Sequence, residues 1–205
     1  MTCGALRLVQ NAGLLGSAAG QACSLVALCT PRWLTRPSGL PDSETYALGL
    51  WEACVTQDTG GRVCQASAGP RDLAPEMLLA HILMCGACAA GSLGLVAVLL
   101  GPSCVRFGAR HGSSLERRTT AAGGALFVLA GLATLVPVSY VARVTVQKFW
   151  GPEFPANAPP WDYSGAMFSG WVGGFFLLTG GLLILAQLCA SRSAENAASS
   201  PSKLC

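Results

Sequence analysis

Four long apolar runs, Leu8–Cys29, Met77–Leu100, Ala121–Val141 and Gly165–Cys189, divide this chain at intervals and leave little else. A bilayer's hydrocarbon core is about 30 Å thick, and a helix needs roughly 20 apolar residues to cross it. Each run meets that length. The 205 residues are 52% hydrophobic and 11% charged, whereas a soluble domain carries about 25% charged residues. So few charges cannot clothe a water-soluble globule, and a membrane domain of four helices follows. The first run is too long and too evenly apolar for a cleaved leader. Residues 1–189 therefore read as a single membrane domain. The tail, 190–205, is mostly Ser, Ala and Asn and is expected to be disordered.

The polar segments set the orientation. Ten cysteines are spread along the chain, but Cys54 and Cys64 are the pair within a polar segment bounded on both sides by spans. Disulfides survive in oxidising compartments and rarely in the cytosol. The segment 30–76 then reads as an extracellular loop stapled across a hairpin, with 142–164 as the second outer loop and both termini cytosolic. The alternative for this pair is two unpaired thiols. Basic residues add little, with seven on the cytosolic side against six outside. Within the first loop, Tyr46 to Thr56 reads as one strand, Asp58-Thr-Gly-Gly as a turn, and Arg62-Val-Cys-Gln-Ala as its return strand. Pro75 and Glu76 mark a helix start. Gly16-x-x-x-Gly20 and Gly170-x-x-x-Gly174, with Gly123-Gly124 and Gly180-Gly181, mark close helix–helix contact, expected within the bundle rather than between molecules. Gln21 is expected to bridge two helices.

The order Trp33, Gly49-Leu50-Trp51, Cys54, Cys64 resembles the signature of the claudin-like tetraspan superfamily. Later motifs resemble claudins proper. Pro31-Arg-Trp33 is similar to the Pro-x-Trp that ends their first helix, and Gly123-Gly-Ala-Leu-Phe-Val-Leu-Ala-Gly-Leu-Ala to their third helix. Phe149-Trp150-x-Pro152 is similar to their Phe-Tyr-x-Pro, as in the less-studied members with Phe-Trp in that loop. The run from Trp161 to Trp171 resembles the lead into their last helix. The resemblance implies a left-handed four-helix bundle under a small extracellular antiparallel β-sheet. It also implies a plasma-membrane protein of tight junctions that binds itself and other claudins, side by side and between cells, to form a paracellular barrier. A weakly selective paracellular ion channel is the alternative, and a channel-auxiliary or membrane-organising tetraspan of the wider superfamily is another.

The resemblance also assigns roles. Phe149, Trp150, Pro152 and Trp161 are expected to mediate adhesion between cells; Trp33 and Trp51 are expected to be structural, Trp51 beside the disulfide in the core of a small sheet. The position after the second cysteine, which carries charge in selective claudins, is the neutral Gln65. With Glu52, Asp58 and Arg62, whose signs oppose, it is expected to line the paracellular path. Cys104 and Cys189 stand where claudins are palmitoylated, with an unmodified thiol at the interface as the alternative. His81 replaces a usual arginine and reads as a satisfied polar residue at the interface, with a pH-sensing role as the alternative. The terminus Ser202-Lys203-Leu204-Cys205 lacks the usual Tyr-Val, which makes a PDZ scaffold a poor partner. No catalytic constellation is present: His81 and His111 lie on opposite sides of the membrane, and Cys85-x-x-Cys88 sits within a span. No metal or cofactor is expected, and no clustered basic patch exists to hold nucleic acid.

Overall fold

A computed structural model describes residues 3–37, 44–57, 61–66, 74–105, 112–149 and 161–198. Its elements run α1 (Cys3–Cys29), β1 (Leu34–Pro37), β2 (Glu44–Leu48), β3 (Glu52–Gln57), β4 (Arg62–Ala66), α2 (Pro75–Val105), α3 (Gly112–Phe149), β5 (Asp162–Tyr163) and α4 (Gly165–Ala198). The four helices are long and apolar enough to cross a membrane, and between 33% and 44% of each spanning window is buried inside the bundle. The remainder presents Leu, Val and Phe outward, for example Leu93, Leu129 and Phe175. That surface suits lipid. A helix satisfies its own backbone within the segment, which hydrocarbon demands.

The ends follow local chemistry. Thr30 donates its backbone N–H (3.0 Å) and its Oγ (2.6 Å) to the Val26 carbonyl, and Pro31 then ends α1. Pro75, which has no N–H to orphan, opens α2 with Glu76 in the first turn. The two later spans are longer than hydropathy suggested. At about 1.5 Å per residue, the 38 residues of α3 exceed the bilayer core. Its polar flanks, Ser113 to Thr120 and Ala142 to Lys148, contain no Gly or Pro to stop the helix. In the same way α4 passes Cys189 and continues to Ala198. The disorder expected from residue 190 is therefore not found over 190–198. Four alanines in that stretch, the strongest helix formers, carry the turn onward.

Small residues dictate the packing. On α4, Gly173 and Gly180 face α1, while Gly174 and Gly181, one residue along, face α3. A Cβ on Gly180 would sit 2.6 Å from the Gly13 carbonyl, and one on Gly20 would sit 2.8 Å from that of Gly173. Toward α3, a Cβ on Gly131 would meet the Gly174 carbonyl at 2.8 Å, and one on Gly181 that of Gly124 at 2.7 Å. Backbones this close make Cα–H···O contacts and leave no room for a side chain. The glycines singled out by spacing thus serve the bundle, with Gly16 in ordinary contact with Phe176. The α1–α2 seam depends on a polar clasp instead. Gln21 is buried and donates Nε2 to the Cys88 carbonyl (2.8 Å) and to Ser92 Oγ (3.1 Å), as a bridging residue should.

The strands form one antiparallel sheet, ordered β4-β3-β2-β1-β5, at the end of the bundle where α1 stops and α2 begins. The strand expected over 46–56 is two strands, broken at Gly49-Leu50-Trp51. A buried cluster including Trp33, Leu34, Leu50, Met77, Met84 and Met167 joins sheet to bundle. A second, around Phe127, Leu177 and Ile184, fills the middle of the bundle.

Candidate functional site

A helix ends with carbonyls that have no partner within the helix. At the end of α1 three in succession are satisfied, and two of the partners are tryptophans. Val26 accepts from Thr30, Ala27 accepts from Trp33 Nε1 at 2.8 Å, and Leu28 accepts from Trp51 Nε1 at 2.8 Å. Trp33 is fully buried, and its backbone N–H donates to the Leu48 carbonyl, which starts the sheet. Trp51 is not the core of the sheet beside the disulfide. It leaves the β2–β3 turn, remains 47% exposed, and stacks edge-on against His81 with ring centroids 4.3 Å apart.

Gly49 and Leu50 complete the anchor. A Cβ on Gly49 would lie 2.6 Å from the carbonyl carbon and oxygen of Pro31. The turn touches the end of α1 backbone to backbone, which a larger residue forbids. Leu50 is fully buried, and its carbonyl lies 3.0 Å from His81 Nδ1. A carbonyl accepts only, so His81 carries its proton on Nδ1 and donates. His81 is a satisfied polar residue on the seam between turn and α2. One short turn thereby holds both α1 and α2.

Cys54 and Cys64 stand opposite each other on β3 and β4 and form a disulfide. Successive residues of a strand point to opposite faces, so the register divides the neighbouring residues. Glu52, Cys54 and Thr56 share one face with Arg62 and Cys64, while Ala53, Val55, Val63 and Gln65 lie on the other. The residues expected to line one path therefore occupy two faces, Gln65 apart from Glu52 and Arg62. Arg62 Nη2 lies 3.6 Å from Glu52 Oε1 and 3.3 Å from Cys54 Sγ. Oxygen of Glu52 and the two sulfurs converge within 4.8 Å. Sulfurs already bonded to each other offer no thiolate, so this cluster is not a metal site.

Asp58, Trp150 and Pro152 lie outside the described residues, as does the side chain of Phe149 at the end of α3. Trp161 is half-buried; Arg36 sits over its ring, 5.9 Å from the centroid. The side chain of Cys104 is also outside the described set, while Cys189 is exposed at the end of the bundle away from the sheet. Three ties escaped the sequence reading. Strand β5 pairs with β1 (Leu34 opposite Tyr163), Tyr163 Oη donates to the Ala142 carbonyl at 3.0 Å, and Lys148 pairs with Glu76. The first two join the fourth helix to the sheet and to α3. The third joins α3 to the start of α2.

Comparison with known proteins agrees with this geometry. The PMP-22/EMP/MP20/Claudin family model matches residues 8–184. Human claudin-19 is 34% identical over 153 residues, 75% of this chain and 66% of its own length. Mouse claudin-5 is 30% identical over 195 residues, 87% of this chain and 88% of its own. Mouse claudin-7 is 32% identical over 145 residues, covering 71% and 68%.

Proposed function

The chain belongs to the PMP-22/EMP/MP20/Claudin family, and from that membership we propose that it acts at tight junctions as a claudin that forms a paracellular barrier. The sheet faces the extracellular space and both termini face the cytosol. Copies polymerise side by side in the membrane and meet partners across the intercellular gap, through Phe149, Trp150, Pro152 and Trp161. Other claudins are the natural co-assembly partners, and the role is structural rather than enzymatic.

The observation that carries this reading is the rigid seating of the sheet. Trp33 and Trp51 cap α1, His81 ties the turn to α2, and the disulfide closes the outer hairpin. A wall between cells needs an outer surface held in fixed register with the membrane, and these ties supply it. The barrier rather than channel emphasis rests on charge. Gln65 is neutral, and Glu52 and Arg62 neutralise each other; a selective pore is lined by one sign.

Freeze-fracture of junction-free fibroblasts expressing the chain tests the proposal. Ridges at cell contacts are the expected result. A chain that reaches the surface but leaves contacts smooth would overturn strand formation and turn attention to the auxiliary-subunit role.

A further inference from the structure

We propose that Glu76 and Lys148 are positioning residues for adhesion between cells: their ion pair clamps the outer end of α3 to the start of α2 and so sets where the segment beginning at Phe149 leaves the bundle. The inference rests on the adhesive role proposed above for Phe149 and Trp150 and names what holds that segment in place.

The apolar run of α3 closes at Val141, yet the helix continues to Phe149, about 12 Å further at 1.5 Å per residue. Two ties hold the lower part of this stretch. Trp171 Nε1 donates to Ser139 Oγ at 3.2 Å, and Tyr163 Oη donates to the Ala142 carbonyl at 3.0 Å. Above them Thr145 turns its hydroxyl back to the Val141 carbonyl of its own helix, and Val146, Gln147 and Lys148 are exposed. Among the described residues, the polar tie from this last turn to another element is that of Lys148 Nζ to Glu76 Oε1.

Both residues suit their places. Glu76 lies in the first turn of α2, the positive end of its dipole, and Lys148 in the last turn of α3, the negative end. The two helices run antiparallel and side by side, so these ends meet. The Glu76 side chain is 13% exposed and that of Lys148 62%: the carboxylate sits against protein, and the lysine reaches in to it from outside. Without the lysine, a largely covered carboxylate loses its cation. Lys148 also directly precedes Phe149-Trp150 in the chain. A helix passes the direction of its last turn to whatever follows, so a loosened turn releases the adhesive segment over a range of directions. Binding across the gap must then order it first. A partly exposed pair shifts such an equilibrium by about two- to fivefold.

Two measurements on the full chain test this. Mixed layers of junction-free fibroblasts, expressing the chain with two fluorescent labels, report adhesion as enrichment at contacts between differently labelled cells. Hydrogen exchange of residues 142–149 in detergent-purified protein reports the last turn of α3. Lys148→Met and Glu76→Gln should each lower enrichment about two- to fivefold and quicken exchange by a similar factor, with surface delivery unchanged. Lys148→Arg should retain both wild-type values, and the exchanged pair Glu76→Lys/Lys148→Glu should adhere better than Lys148→Glu alone. In a Phe149→Ala/Trp150→Ala background, Lys148→Met should quicken exchange without further loss of adhesion, which a general structural defect would not do. The proposal is overturned if Lys148→Met and Glu76→Gln reach the surface and match wild type in enrichment or exchange, while Phe149→Ala/Trp150→Ala abolishes adhesion. If Phe149→Ala/Trp150→Ala adheres like wild type, the adhesive reading fails first and this inference with it.

Discussion

Gly49→Ala adds one methyl group at the place where the sheet meets the bundle. The new Cβ would sit 2.6 Å from the carbonyl carbon and oxygen of Pro31 and 2.8 Å from its Cα. All three are backbone atoms at the end of α1, so no side chain can swing away. Ordinary contact begins near 3.4 Å, which requires the turn to retreat by about 0.8 Å. A retreat of that size stretches the Trp51–Leu28 bond from 2.8 Å and the His81–Leu50 bond from 3.0 Å beyond hydrogen-bonding range. Each lost bond costs about 0.5–1.5 kcal/mol. Partial exposure of Leu50, now fully buried, adds a share of the ~1.5–3 kcal/mol that its burial contributes. The sum is about 2–4 kcal/mol, or roughly a 30- to 900-fold rise in local opening of the sheet. The spans should remain inserted, because their hydrogen bonds lie within each helix. Limited proteolysis of detergent-purified protein at Arg32, Arg36 and Arg62 reads this opening directly. Gly86→Ala, where an added Cβ meets nothing within 4 Å, is the control and should match wild type. Equal protection of Gly49→Ala and wild type would show that the turn has slack, and that the seating of the sheet does not depend on backbone contact at Gly49.

Three further outcomes are expected. Cys54→Ala or Cys64→Ala removes a link worth about 3 kcal/mol on the chain-entropy model; the outer hairpin should become protease-sensitive while circular dichroism still reports the full helix content. Gly180→Leu places a Cβ 2.3 Å from Ser17 Oγ and 2.6 Å from the Gly13 carbonyl, and should force α1 and α4 apart at a cost above about 3 kcal/mol, seen as a melting temperature well below that of wild type in detergent. Gln65→Asp adds an acid on the face away from the disulfide; it should tilt the sodium-to-chloride permeability ratio toward sodium, and an unchanged dilution potential would show that ions do not meet that face.

The membrane class was legible because hydropathy reports where lipid begins and ends. It does not report where a helix ends, which is why α3 and α4 outrun the apolar runs that located them. Inside lipid a lone apolar run satisfies its backbone as a helix; beyond it, Arg143-Val-Thr-Val-Gln-Lys148 and Ala190 to Ala198 continue because nothing in them breaks the turn. The short strands were hidden for a different reason. β1 has four residues ending in Pro37, and β5 has two, paired with β1 from the far end of the chain. Neither has enough length for alternation to show, and the pairing exists only once α4 is docked. The faces of β3 and β4, by contrast, were readable. With Cys54 and Cys64 opposed, period-two alternation alone puts Gln65 on the reverse face and Glu52 and Arg62 beside the disulfide.

The tryptophan signature is where sequence and structure illuminate each other most. Spacing identifies Trp33 and Gly49-Leu50-Trp51 as a motif but does not say what the motif does. Any aromatic residue could fill an apolar gap at the membrane surface, as an interfacial belt does. Only an indole combines that bulk with a single N–H donor. The end of α1 presents consecutive carbonyls, Ala27 and Leu28, that have no partner within the helix. Phe at either position would fill the space and orphan a carbonyl; Lys would supply the donor and strand a charge. Trp33 reaches its carbonyl from six residues along the chain, Trp51 from twenty-three. The second reach is possible because glycine lets the turn lie against Pro31. The motif is therefore a helix cap assembled from two distant segments, and it fixes the sheet to the membrane by completing the hydrogen bonds that α1 leaves open.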